Sequence, residues 1–149
     1  MKIHGNVILD QPGDKIWPLI FDPNSLLRLV PGCQNLEHLP PDEYRADIRI
    51  GLAGVSGVYT ALVKIEQANP PANCTFSGEI EGPTGVIRGT ASFSLIPLTT
   101  GTKIEYNAQA IITGALAKLN PRYIEGVTNS LIKEGLTKLG RELILQQAN

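Results

Sequence analysis

The sequence is poor in the residues that form disulfides, metal sites and catalytic dyads. Its 149 residues include only two cysteines and two histidines. The four positions, Cys33, Cys74, His4 and His38, contain no pair at metal-ligand spacing on one predicted element, so we expect no metal site. Two cysteines in a cytosolic chain are more often free than paired, and we expect both to be free thiols.

Charged residues and long apolar runs are also scarce. Thirteen basic residues against fourteen acidic ones give a net charge of −1. Nucleic-acid-binding domains usually carry a clear basic excess, so no nucleic-acid partner is expected. The first residues lack an apolar run of signal-peptide length, and no stretch reaches the roughly 20 apolar residues of a membrane span. We therefore expect a cytoplasmic protein whose residues 1–149 form a single domain.

The hydrophobic period changes twice along the chain. Apolar and polar residues alternate over residues 2–11, which predicts a strand. Residues 14–22 and 23–30 have helical spacing, with Pro23 at a first helical position and Pro31-Gly32 as a stop. Alternation returns from residue 34 and predicts about six further strands. Helical spacing that begins at Asn120-Pro121 predicts a final helix of roughly 27 residues.

This order of elements predicts an α+β helix-grip fold. A curved antiparallel sheet of about seven strands would wrap around the long C-terminal helix, with two short helices after the first strand. The long helix is the only predicted element able to cover one face of such a sheet.

The strand face that should meet this helix carries no Asp, Glu, His, Lys or Arg. General acid–base catalysis needs a titratable group beside the reacting atom, and this face offers only two tyrosines and one thiol. We therefore expect no catalytic residue there and no bound cofactor. The interior should either bind an apolar molecule or be packed with side chains.

Small residues on both surfaces leave these two alternatives open. Alanines on the sheet and Gly126, Gly135 and Gly140 on the long helix allow either a close helix–sheet approach or room for a ligand. If there is a cavity, we expect its mouth near the two short helices and the loop at residues 54–57. The predicted lining consists of Ile48, Ile50, Leu52, Tyr59, Val63, Phe76, Ile87, Phe93, Tyr106 and Gly135.

Cys33 and His38 are close enough in sequence to suggest a nucleophile with its base. In an extended strand, however, positions 33 and 38 differ by an odd number, so their side chains should point to opposite faces unless a bulge intervenes. We therefore interpret Cys33 as structural and His38 as an exposed strand residue.

Several segments resemble one protein family. They are KIWPLIFDPNSLLRLVPGCQNLE, YRADIRIGLAGVSGVYTALVKI and GTKIEYNAQAIITGALAKLNPRYIEGV. They are similar to CoxG, a family of carbon monoxide dehydrogenase subunits within the START-like (SRPBCC, Bet v 1-like) superfamily. The resemblance implies a helix-grip fold around an apolar cavity suited to an isoprenoid quinone or similar lipid.

The same resemblance implies a role beside other proteins. CoxG-like proteins act as accessories of CO dehydrogenases or related molybdenum hydroxylases and link them to the membrane or its quinone pool. Many carry a Pro-rich linker and an apolar tail after the long helix, whereas this chain stops at LILQQAN. Membrane association through such a tail is therefore not expected.

Two other functions stay open on the sequence. One is a cyclase- or hydrolase-type enzyme of the same superfamily, acting on an aromatic or polyketide substrate through Tyr59, Tyr106 or an inward-turned Arg88. The other is a packed structural domain that contacts a second protein. The first hypothesis remains non-enzymatic binding of a hydrophobic, quinone- or lipid-like molecule.

Overall fold

The computed structural model describes residues 1–148, which fold as an antiparallel sheet with helices against one side. In chain order the elements are β1 (Lys2–Leu9), α1 (Gly13–Phe21), α2 (Pro23–Leu29), β2 (Cys33–Leu39), β3 (Glu43–Ile50), β4 (Gly57–Asn69), β5 (Asn73–Gly82), β6 (Gly85–Leu98), β7 (Gly101–Thr113), a 3-10 turn (Ala115–Lys118) and α3 (Pro121–Ala148). This arrangement confirms the predicted helix-grip fold. The 3-10 turn was not predicted.

The sheet order is β1-β7-β6-β5-β4-β3-β2, with every neighbouring pair antiparallel. Strands β2 to β7 form a meander, and β1 pairs with β7 at the far edge. Because β1 and β2 lie at opposite edges, the segment with α1 and α2 must cross the whole width of the sheet. The two short helices therefore lie over the same face as α3.

The long helix is held mainly on the β1 side of the sheet. Leu139 and Leu143 of α3 belong to one buried cluster with Leu9 of β1 and Ile16 of α1. Gly140 allows this contact, since a Cβ atom at that position would lie 3.1 Å from the Leu9 side chain. The absence of a side chain at Gly140 therefore lets α3 pack closely against β1.

A second buried cluster closes one end of the sheet. Val55, Tyr59, Leu116 and Ile124 pack together there, joining the β3–β4 loop, the 3-10 turn and the start of α3. The loop at residues 54–57, which we expected at a cavity mouth, is instead part of this closed end. Burial of Val55 and Leu116 in this cluster joins the loop to the 3-10 turn.

Local signals in the sequence define where two helices begin. The Asp22 carboxylate accepts hydrogen bonds from the Ser25 backbone N–H (3.3 Å) and hydroxyl (2.9 Å) ahead of α2, which Pro23 opens. The Asn120 side chain accepts a hydrogen bond from the Arg122 N–H at 2.9 Å, at the position where the helical spacing of the sequence begins. Within residues 1–148, the helices lack the combination of length and apolar character that a membrane crossing requires.

Gly32 provides a test of the α2–β2 corner. Its φ is +75°, and a Cβ atom there would lie 2.1 Å from the Arg49 carbonyl oxygen. Gly32→Ala is therefore expected to lower the free energy of unfolding by about 2 kcal/mol, as measured by urea denaturation. Gly51→Ala is the control, because a Cβ atom at Gly51 would have no neighbour within 4 Å. Equal effects of the two substitutions would contradict this account of the corner.

Candidate functional site

The first of two adjoining cavities lies between the short helices and the sheet. This cavity, called lobe 1, has a volume of about 340 Å³ and is partly open to solvent. Side chains from α1, α2 and strands β2 to β6 surround it: Ile20, Phe21, Leu26, Val30, Leu36, Tyr44, Ala46, Ile48, Ala61, Val63, Ile65, Cys74, Phe76 and Phe93.

The second cavity, called lobe 2, lies between the long helix and strands β3 to β5. Its volume is about 400 Å³. It is lined by Ile20, Leu26, Leu29, Val30, Pro31, Ile48, Ile50, Tyr59, Ile80, Thr128, Leu131, Ile132, Gly135, Leu136 and Leu139. The two lobes share Ile20, Leu26, Val30 and Ile48, so they are neighbouring compartments of one interior space.

Small side chains create this space. Ala46 and Ala61 lie directly opposite each other on β3 and β4, both buried, and form part of the floor of lobe 1. Gly135 lines lobe 2 and also allows α3 to approach the end of α2, since its Cβ atom would lie 3.2 Å from the Leu29 carbonyl oxygen. The small residues therefore serve both expected purposes, close packing of helices at some positions and room for a ligand at others. Gly126 serves neither purpose, because a Cβ atom there would meet nothing within 4 Å.

Most of the predicted lining residues lie in one lobe or the other. Lobe 1 contains Val63, Phe76 and Phe93, lobe 2 contains Ile50, Tyr59 and Gly135, and Ile48 borders both.

Three predicted lining residues lie outside both lobes, and the prediction is wrong for them. Leu52 follows the end of β3, where strand alternation no longer applies, and it is 40% exposed. Ile87 packs against the second buried cluster at the closed end of the sheet. Tyr106 faces inward, but its hydroxyl lies over Gly5 and donates to Asn129 Oδ1 at 3.2 Å.

The hydroxyl groups around the lobes already have partners. Tyr59 donates to the Val55 carbonyl at 2.8 Å and contacts the Thr84 hydroxyl. Thr128 donates to the Ile124 carbonyl in its own helix. Among residues 1–146, whose side chains the structure describes, no buried side-chain nitrogen or oxygen lacks a hydrogen-bond partner. The lobes therefore present apolar surface with no donor held ready for a ligand.

Tyr44 is a lining residue that the sequence reasoning missed. It lies in lobe 1, and its hydroxyl donates to the Phe21 carbonyl at the end of α1 across 2.7 Å. This bond joins β3 to the short helices that roof the lobe. Its position two residues before Ala46, on the same strand parity, was the signal that could have identified it.

Comparisons with known proteins agree with this geometry. The profile of a family described as a carbon monoxide dehydrogenase subunit (CoxG) matches residues 5–144. The chain belongs to the CoxG family. None of the curated proteins compared with it matches.

Solved structures show the same fold. A conserved protein from Geobacillus kaustophilus is 28% identical, with a TM-score of 0.92 over 97% of this chain and 95% of that one. A START superfamily protein from Mycobacterium smegmatis is 10% identical, with a TM-score of 0.75 over 99% of each chain. A protein from Chromobacterium violaceum is 15% identical, with a TM-score of 0.72 over 94% and 95% of the two chains. The CoxG chain therefore has a START-like fold.

The expected separation of Cys33 and His38 onto opposite faces is wrong. A β-bulge between Cys33 and Asn35 shifts the register by one residue, which places Cys33 opposite Ile48 and His38 opposite Tyr44 on the same face. The two side chains still do not form a dyad, because five residues of strand separate them by roughly 16 Å.

Each side chain has its own local partner. The Cys33 thiol donates to the Asn35 carbonyl at 3.3 Å, and burial raises its pKa. The exposed His38 ring stacks on Tyr44 with centroids 4.6 Å apart. Both cysteines are free thiols, as expected. These contacts fit a structural Cys33 and an exposed His38.

The lining of the CoxG cavity carries no charged side chain. Neither lobe includes Asp, Glu, His, Lys or Arg among the described residues that surround it. Arg88, considered as an inward-turned catalytic group, instead lies on the outer face with its side chain 71% exposed, and its Nε is 3.2 Å from Glu79 Oε2. Within residues 1–148 no cluster of three or more His, Cys, Asp and Glu could hold a metal ion.

The titratable groups that do line lobe 1 stay protonated at neutral pH. Burial raises the pKa of the Cys74 thiol, whose residue is only 1% exposed. Burial, and then the nearby Asp22 carboxylate, raise the pKa of Tyr44. Both effects oppose the anionic form, so neither group is prepared to act as a nucleophile or a base.

The Tyr44 hydrogen bond can be tested by its pH dependence. Tyr44→Phe is expected to lower the free energy of unfolding at pH 7 by about 1 kcal/mol, because the Phe21 carbonyl loses its donor. Because the pKa of Tyr44 is raised in the folded state, this stabilisation is present below the ordinary tyrosine pKa of about 10 and is lost as pH rises further. The difference between wild type and variant should therefore shrink above that pH.

The measurement is urea denaturation at pH 7 and again above pH 10. Tyr123→Phe is the control, since its hydroxyl also donates to a backbone carbonyl, that of Ala53, but on an exposed surface. Its effect at pH 7 should be smaller, because water can replace the lost donor. A Tyr44→Phe difference that grows with pH would contradict the account.

Proposed function

We propose that this CoxG protein binds a hydrophobic small molecule, quinone- or lipid-like, in lobes 1 and 2 and does not transform it. The same proposal makes it an accessory protein of a CO dehydrogenase or a related molybdenum hydroxylase. The observation that carries the binding role is a two-lobed interior lined by uncharged side chains whose hydroxyls already have partners.

The size of the interior supports a ligand of lipid dimensions. Lobes of about 340 and 400 Å³ each fall within the range of about 300–1,000 Å³ that is usual for small-molecule sites. A ligand that buries roughly 500 Å² of apolar surface gains about 12 kcal/mol. After about 4 kcal/mol of association cost, about 8 kcal/mol remains, which corresponds to micromolar affinity.

The same lining disfavours polar ligands and catalysis. A charged metabolite would lose several kcal/mol of hydration without finding a counter-charge or a free donor inside. An enzyme of the cyclase or hydrolase type needs a proton donor or acceptor beside its substrate. Arg88 points away from the interior, and the hydroxyls of Tyr59 and Tyr106 are engaged by Val55 and Asn129.

The partner enzyme is proposed from family membership. The CoxG family is described as part of carbon monoxide dehydrogenase, and its profile matches residues 5–144. A carrier of an apolar redox molecule beside such an enzyme is chemically consistent with the uncharged cavity. Copurification of the protein with a molybdenum hydroxylase from its native cells is the result that this part of the proposal expects.

Titration of delipidated protein tests the binding role. The wild type should bind a menaquinone analogue saturably, at micromolar concentration, and should not bind a polar aromatic acid. Ala61→Phe fills part of lobe 1 and displaces roughly 60 Å² of ligand contact, so it should weaken binding about tenfold. Leu62→Phe is the matched control, because Leu62 is adjacent but lies on the outer face with 45% exposure.

The control should bind the analogue as the wild type does, and thermal unfolding should show that both variants are folded. Saturable binding of the polar acid, with none of the quinone, would overturn the carrier role and favour an enzyme. Equal weakening by Ala61→Phe and Leu62→Phe would show that the ligand does not occupy lobe 1.

A further inference from the structure

The two lobes are lined by different kinds of side chain. All three phenylalanines of the chain, Phe21, Phe76 and Phe93, line lobe 1. The single tryptophan, Trp17, stands behind them, with its ring centroid 4.8 Å from Phe21 and 5.8 Å from Phe93. Only 5% of the residues are aromatic, so gathering every Phe and Trp at one lobe is a distinct feature of this cavity.

Lobe 2 has the opposite character. Its one ring belongs to Tyr59, which is 2% exposed and held by the Val55 carbonyl. Its other lining side chains are aliphatic apart from Thr128 and Gly135. Such a surface favours a flexible aliphatic chain, because it offers contact area without any preferred orientation for a flat ring.

Aromatic side chains favour a different occupant. The rings of Phe21, Phe93 and Phe76 are tilted against one another, with Phe21–Phe93 and Phe76–Phe93 centroids 6.3 and 6.5 Å apart. All three rings line lobe 1, and they do so in different orientations. A flat π system gains from offset and edge-to-face contacts with such rings in addition to its buried area.

We propose that lobe 1 is a subsite for an aromatic or quinoid ring and lobe 2 a subsite for an aliphatic chain attached to it. This inference rests on the proposed function and specifies its ligand class and orientation. The chain would pass from one lobe to the other at the shared residues Ile20, Leu26, Val30 and Ile48. Lobe 1 is partly open to solvent, so ring oxygens can remain hydrated there without a protein donor.

Two fragments of such a ligand, one for the ring and one for the chain, can test the two subsites separately. The ring probe is 2,3-dimethyl-1,4-naphthoquinone, whose substituted ring positions block thiol addition, and the chain probe is farnesol. Phe76→Leu removes an aromatic ring from lobe 1. It should lower the affinity for the ring probe by about three- to tenfold and change the affinity for farnesol by less than about twofold. Ile132→Phe places a larger side chain on the α3 side of lobe 2. It should lower the affinity for farnesol by a similar factor and leave the affinity for the ring probe unchanged.

Cysteine labelling provides an independent measure of where each probe binds. Cys74 lines lobe 1 and is only 1% exposed, so N-ethylmaleimide can reach it only when the lobe opens, whereas Cys33 lies in neither lobe. The slow alkylation of Cys74 and that of Cys33 can be followed separately by mass spectrometry. The ring probe should slow labelling of Cys74 relative to Cys33 more than farnesol does at equal occupancy.

The outcomes distinguish this inference from the proposed function. If Phe76→Leu weakens both probes equally and both protect Cys74 alike, the subsite assignment is wrong while the carrier role stands. If Phe76→Leu weakens only farnesol, the orientation is reversed and the proposal is overturned. If neither probe nor the longer menaquinone analogue binds the wild type, both the subsites and the carrier role are wrong.

Discussion

The position of α3 over the sheet determines the rest of the interior. Leu139 and Leu143 pack against Leu9 on the β1 side, and Gly140 brings the helix within contact of that strand. Over β3 to β5 a gap, lobe 2, separates α3 from the sheet, while Ala46 and Ala61 widen lobe 1 under the short helices. The helix is thus anchored along one side of the sheet and leaves lobe 2 open on the other.

The short helices complete this arrangement because β1 and β2 lie at opposite sheet edges. The connection between them must cross the sheet, and it does so as α1 and α2, which roof lobe 1. The Tyr44 hydroxyl ties that roof to β3 through the Phe21 carbonyl. An ion pair between Arg28 of α2 and Glu142 of α3 is a second polar tie. The remaining contacts around the cavity are apolar, so opening it would break few polar interactions, which suits the proposed uptake and release of a ligand.

Much of this structure follows from periodicity in the sequence. Alternation identifies the strands and their inward face, and on that basis alone it assigns Ile48, Val63, Phe76 and Phe93 to the cavity side. Alternation fails where strands end or slip. Leu52 lies beyond β3, and the bulge near Cys33 reverses the parity that separated Cys33 from His38.

Parity also says nothing about which inward residues meet a cavity and which meet other side chains. Ile87 and Tyr106 face inward, yet Ile87 joins a packed cluster and Tyr106 contacts Gly5 and Asn129. Those contacts depend on where α3 and the 3-10 turn cross the sheet, which the hydrophobic pattern of single elements does not determine. The hydrophobic pattern of single elements also does not predict the cluster of Trp17 with the phenylalanines, because that cluster joins α1 to β5 and β6.

The most direct test of the central claim, that this CoxG protein holds an apolar ligand in its interior, is a crystal structure with a menaquinone analogue bound. The account predicts one ligand inside, with its ring against Phe76 and Phe93 and its chain between α3 and strands β3 to β5. An analogue found only on the outer face of the sheet, or an interior closed by repacked side chains with no room for a ligand, would contradict it.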